Sequence, residues 1–222
     1  MSMLEKDYYP IVEKWMIEHF KCFETAINSG LKISRVDVVG VRDVGGNLSG
    51  DIETIVIEVK RGNQPFATAS GQAYGYKVYG NRVYLADIRN DGFTTDEVAI
   101  ANHLGIGLIQ IKSDNTCQEF LSSPHHKPLM KFNRLLLEQM RLGYCQFCNT
   151  VFKIGNLDGK NKFNNLARTK IKNALTKEKG LVFWNHELSE RKQKLGIDKI
   201  KEGYSHDRRF VCSDCVSLFF QQ

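Results

Sequence analysis

The chain has no apolar run close to the roughly 20 residues that a helical bilayer crossing needs, so a membrane span is not expected. Its opening residues, Met1-Ser-Met-Leu-Glu-Lys-Asp7, have no basic start, apolar middle and small-residue cleavage site, so no secretory leader is expected either. Both absences point to a cytoplasmic protein. Proline is scarce, with four residues. Pro10 is tolerable only near the first turn of a helix, and Pro124 and Pro128 fall in a Ser/His/Pro stretch that reads as a linker. Acidic residues thin out toward the C-terminus. Residues 1–130 hold 13 Lys/Arg against 16 Asp/Glu (net −3), whereas residues 131–222 hold 18 against 9 (net +9). A near-neutral front and a basic back suit a polyanion-binding appendage.

What is present supports one substantial domain and a smaller one: 222 residues, 42% hydrophobic and 25% charged. The most informative stretch is Thr54-Ile-Val-Ile-Glu-Val-Lys60. In a strand, residues two apart share a face, so Glu58 and Lys60 point one way while Ile55, Ile57 and Val59 point into a core. Upstream, Asp37 lies in an equally apolar run, Val36 to Val41. An antiparallel hairpin pairing Asp37 with Glu58 has its midpoint between residues 47 and 48. That is the middle of Gly45-Gly-Asn-Leu-Ser-Gly50, a stretch rich in turn residues. The two carboxylates then stand about 5 Å apart, close enough to share a divalent cation. Asp51 is the rival carboxylate if the register differs.

Residues 4–29 read as a first helix with an apolar stripe of Ile11, Val12, Trp15, Met16 and Phe20, ended by Gly30. Strands are expected over 34–41 and 52–60, a glycine-weakened helix over 67–79 and a third strand over 82–88. Thr94 or Thr95 caps a short helix to about His103, and a fourth strand covers 106–111. The order α-β-β-α-β-α-β defines an α/β fold, a mixed sheet with helices on its faces. A further helix is expected over 129–142, ending at Gly143. His125 and His126 read as exposed loop residues.

Four of the six cysteines form two pairs, Cys145-x-x-Cys148 and Cys212-x-x-Cys215. In an intracellular protein such pairs read as metal knuckles rather than disulfides, and two knuckles make one tetrahedral Cys₄ site for a structural Zn²⁺. The 63 residues between the pairs exceed the compact spacing, so the ribbon must carry an insertion. Cys22 and Cys117 read as reduced structural thiols. Within the insertion, residues 160–179 read as an amphipathic helix bearing Lys160, Lys162, Arg168, Lys170 and Lys172. Arg191, Lys192 and Lys194 form a second basic cluster. Such a density of cations suits phosphate contacts.

Asp37 followed by Glu58-Val-Lys60, in this element order, resembles the PD-(D/E)XK nuclease superfamily; Val36 stands where that motif has proline. Gln72-Ala-Tyr-Gly-Tyr76 resembles the Gln-x-x-x-Tyr motif of its RecB-like branch. The resemblance covers about residues 4–112. It implies a restriction-endonuclease-like fold and a Mg²⁺ (or Mn²⁺) ion held by Asp37, Glu58 and the carbonyl of Val59. It also implies that Lys60 orients or deprotonates the attacking water, and that Gln72 sits beside the site. Tyr76 would support the site or contact DNA. Glu5 looks most like the glutamate many members supply from the first helix, with Glu13 second. Arg61, next to the site, is a candidate phosphate contact. The expectation is a Mg²⁺-dependent DNA endonuclease in a restriction or repair setting, with DNA as its partner, no membrane association and the capacity to act as a homodimer. Its catalytic domain is expected over 1–121, a linker and helix over 122–143, and a basic zinc domain over 144–222. The alternative is a non-catalytic nucleic-acid-binding protein that keeps the fold as a scaffold.

Overall fold

The computed structural model describes residues 4–31, 34–45, 51–144, 151–153, 180–184 and 208–212. The chain divides into two compact units, the first running to Met140 and the second from Arg141. Each is described by itself.

The first unit opens with a short 3-10 turn, Glu5–Tyr8, that leads into α1 (Tyr9–Phe20) with Pro10 in its first turn. Proline belongs there because the first amides of a helix have no intrahelical acceptor. The helix does not run to Gly30 as its composition suggests. Lys21 adopts a left-handed conformation, φ 58°, and ends it. Residues 24–31 form β1 (Glu24–Leu31), which pairs antiparallel with β2 (Ser34–Asp43). β2 in turn pairs antiparallel with β3 (Ile52–Lys60), with Val38 opposite Ile57 and Val41 opposite Thr54. That register sets Asp37 across from Glu58.

From β3 the chain crosses through α2 (Phe66–Gly75) and a 3-10 turn at Tyr76–Val78 into β4 (Arg82–Ile88), parallel to β3. It crosses again through α3 (Thr95–Leu104) into β5 (Gly107–Ile111), parallel to β4. Thr94 and Glu97 form a reciprocal capping box at the start of α3. An edge strand that the sequence reading did not anticipate, β6 (Cys117–Leu121), closes the sheet antiparallel to β5. The result is a six-stranded mixed sheet in the order β1-β2-β3-β4-β5-β6, flanked by helices.

Alternation along the strands divides the two faces. Val12, Met16 and Phe20 of α1 pack on Val38, Ile55, Ile57, Val59, Tyr84, Ala86, Ile109 and Ile111. Gly40 lets α1 come close, since a Cβ there would run into Met16 Sδ of that helix. The opposite face carries Glu58 and Lys60. It is covered in part by α4 (Met130–Gln139), whose buried Asn133 amide donates to Thr54 Oγ1 (3.0 Å) and to the Tyr79 carbonyl (2.6 Å). The segment expected as a linker is likewise part of this unit. Ser123 Oγ accepts from the Val83 amide at 3.0 Å.

The second unit contributes two antiparallel strand pairs. β7 (Leu142–Tyr144) pairs with β8 (Val151–Lys153), and β9 (Gly180–Trp184) pairs with β10 (Arg208–Cys212). The insertion read as helical therefore contains strand as well. Cys145, Cys148 and Cys215, the amphipathic segment 160–179 and the cluster Arg191, Lys192 and Lys194 lie outside the described residues. No helix among the described residues is long and apolar enough to cross a membrane.

Candidate active site

The charged groups gather where β3 ends. Glu58 and Lys60 are 4% and 5% exposed, values that ionisable side chains hold only when paired or functional. Lys60 Nζ lies 2.5 Å from Glu58 Oε1 and 3.5 Å from Glu5 Oε1, so one ammonium bridges two carboxylates from different elements. Burial works against the Lys60 cation, but the Glu58 and Glu5 carboxylates outweigh it and raise its pKa.

Asp37 is fixed through both oxygens. The Val59 amide donates to Oδ2 at 2.9 Å, and the Tyr9 hydroxyl donates to Oδ1 at 2.8 Å. Burial and the neighbouring negative charge of Glu58 push the Asp37 pKa up to about 7, against the opposing pull of the Val59 amide, Tyr9 and Lys60. Two carboxylates on adjacent strands thus resist sharing full charge.

Glu58 Oε2 is buried and has no hydrogen-bond partner. The Tyr76 hydroxyl lies within hydrogen-bonding reach of the Glu58 carboxylate, but it carries one proton, which it donates to the Arg35 carbonyl at 2.6 Å. Tyr76 is 7% exposed. Its hydroxyl bond ties the end of α2 to the start of β2. Gln72, one turn earlier, is exposed.

Two rival carboxylates are placed elsewhere. Glu13 accepts from Thr25 Oγ1 at 2.8 Å. Asp51 lies beyond the opposite end of β3, where its carbonyl accepts from the Val44 amide. Seven steps along the extended chain separate it from Glu58, roughly 23 Å.

Beyond Lys60 the chain turns sharply, and the turn is clamped. Asp87, 1% exposed and paired with Lys60 in the β3–β4 register, accepts from the Gly62 amide (2.6 Å), the Ile88 amide (3.0 Å) and Arg89 Nε (2.9 Å). Arg89 also pairs with Glu97 of α3 at 2.7 Å. Gly62 has φ +71°, and a Cβ there would come within 2.5 Å of the Ile88 carbonyl. Arg61 is half-buried between Lys60 and this turn. Neither the clamp nor Tyr9 was anticipated from sequence. The available signal for Tyr9 was its spacing of four residues from Glu5, which sets the two side by side on a helical turn.

Among the described residues no group of three or more His, Cys, Asp or Glu side chains is gathered as a metal cluster. The Lys60 ammonium, instead, stands between Glu5 and Glu58.

No protein-family model matches the chain, and comparison with curated proteins finds no match. Among solved structures the chain is similar to a protein of unknown function from Silicibacter pomeroyi. The two are 19% identical with a TM-score of 0.44, over 63% of this chain and 86% of that one. A likeness at that level carries no argument about function.

Proposed function

We propose that the chain is a metal-dependent DNA endonuclease whose first unit is a PD-(D/E)XK-like catalytic domain. The observation that carries this reading is the pair Asp37 and Glu58. They are held on neighbouring strands beside Lys60, with Glu58 Oε2 buried and lacking any donor. An orphaned carboxylate oxygen costs about 1–3 kcal/mol or more when nothing meets it. A hard divalent cation satisfies it, and two carboxylates with a backbone carbonyl are the oxygen donors that Mg²⁺ or Mn²⁺ prefers. Asp37, Glu58 and the Val59 carbonyl would hold that ion. When bound, it supplies Lewis-acid stabilisation of a phosphodiester and an activated water.

The protein's own groups divide the remaining work. Lys60, with its pKa raised by Glu58 and Glu5, is a cation in the metal-free site. It is suited to donate to and offset phosphate charge rather than to abstract a proton. Glu5 competes for that ammonium at 3.5 Å and is placed to accept from water or from Lys60. Tyr76 keeps β2 and α2 together behind the site.

The second unit is proposed as the DNA-holding module, built on one structural Zn²⁺ bound by Cys145, Cys148, Cys212 and Cys215. Cys145 and Cys148 fall in the six-residue connection between the paired strands β7 and β8, and Cys212 ends β10. A short connection between antiparallel strands is where a zinc knuckle forms. The net +9 of residues 131–222 supplies the cations for phosphate.

A second reading has an observation of its own. The 2.5 Å Glu58–Lys60 ion pair suits a scaffold that binds nucleic acid without cutting it. It leaves the proximity of Asp37 to Glu58 without a purpose. Incubation of supercoiled plasmid with Mg²⁺ separates the two. Cutting that is lost in Lys60→Ala supports the nuclease, and a gel shift with no cutting under any divalent metal supports the scaffold.

A further inference from the structure

We infer that Tyr9 is a positioning residue of the cation site, acting through Asp37. The inference rests on the nuclease reading of that site. Tyr9 is the first residue of α1, and its ring packs against the core formed by α1 and the sheet. The preceding 3-10 turn and Pro10 fix the backbone on either side of it. Its hydroxyl is therefore delivered to one place by a rigid ring rather than by a flexible arm.

That place lies between two carboxylates. The hydroxyl is 2.8 Å from Asp37 Oδ1 and 3.5 Å from Glu5 Oε1. A phenol carries one proton, and the shorter contact receives it. Asp37 is then gripped at Oδ1 by Tyr9 and at Oδ2 by the Val59 amide, which prevents the carboxylate from rotating. One lone pair of each oxygen remains for a cation. Glu5 keeps its mobility and shares Lys60. Partners of this kind orient a metal-ligating carboxylate, and their loss costs on the order of 10–100-fold in metal affinity or activity.

Tyr9→Phe retains the ring and removes only the hydroxyl. Binding of Mn²⁺ to the full chain, followed by electron paramagnetic resonance without DNA, gives a readout independent of turnover. The expected result is at least about tenfold weaker Mn²⁺ binding, with an unchanged circular dichroism spectrum. The neighbouring Tyr8→Phe serves as a control and binds as the wild type does. In the cleavage assay Tyr9→Phe lowers kcat and raises the Mg²⁺ requirement, leaving KM for DNA unchanged. Adding Tyr9→Phe to Asp37→Asn produces no further loss. Equal Mn²⁺ affinity in wild type and Tyr9→Phe overturns the role of Tyr9 alone. Additive losses in the double variant overturn action through Asp37. A wild-type chain that binds no Mn²⁺ overturns the cation site itself and the inference with it.

Discussion

The Asp37 carboxylate on β2 accepts a hydrogen bond from the Val59 amide on β3, 2.9 Å away. This bond joins the two strands at the point where their acidic side chains meet, between Glu58 and Lys60 in the chain. It fixes Asp37 beside Glu58 through the backbone of the strand that carries Glu58, so the pair forms a unit with the fold rather than a chance meeting of surface charges.

The pH dependence follows from Asp37. Its pKa rises from an ordinary value near 4 in the unfolded chain to about 7 when folded. A carboxyl raised by folding contributes stability that is fully present below the unfolded value and is lost as pH rises through about 7. Asp37→Asn is therefore expected to raise Tm relative to wild type at pH 8, by on the order of 1 kcal/mol or more in stability, and to change little at pH 4. Mg²⁺ should raise the Tm of the wild type at pH 8 but not that of the variant. Thermal melts at the two pH values, with and without Mg²⁺, check both statements.

Glycines on either side of the site should respond in opposite ways. Gly62→Ala meets the Ile88 carbonyl and a positive φ, so a loss of about 1–3 kcal/mol is expected. Gly71 lies on α2, where a Cβ would meet nothing within 4 Å. Gly71→Ala should be neutral or stabilising by up to about 1 kcal/mol. Denaturant titration of the two variants measures the contrast.

Zinc analysis of the purified protein should find one Zn²⁺ per chain, lost in Cys145→Ser. Absence of zinc from the wild type would end the Cys₄ proposal.

Neutralising Lys160, Lys162, Arg168, Lys170 and Lys172 should weaken DNA binding and flatten its salt dependence by about 0.9 in slope for each phosphate contact removed. Fluorescence anisotropy at several salt concentrations reads this. An unchanged slope would return the segment to a solvated surface.

Much of the sheet was legible because strong local signals agreed. The apolar runs around Asp37 and Glu58 and the turn residues between them set the β2–β3 register. Thr94 and Glu97 marked the start of α3. The first helix was overextended because Glu24 to Gly30 contains no proline and no long β-branched run. Its end at Lys21 is written in a left-handed backbone rather than in a glycine. β6 escaped notice because a five-residue edge strand, Cys-Gln-Glu-Phe-Leu, is too short to show a period. Tyr9 and Asp87 belong to no motif. Their roles depend on which strand end each one reaches, and only tertiary structure determines that.

The most direct test of the central claim is the rate of supercoiled-plasmid cleavage in Mg²⁺ by the wild type beside Glu58→Gln, with DNA affinity measured for both. Glu58→Gln keeps the side-chain volume and removes the charge that faces Lys60. The expected result is metal-dependent cutting by the wild type and a loss of at least about 100-fold in the variant, with DNA affinity unchanged. Equal cutting by the two proteins, or none by either, would contradict the assignment of Asp37, Glu58 and Lys60 as a nuclease site.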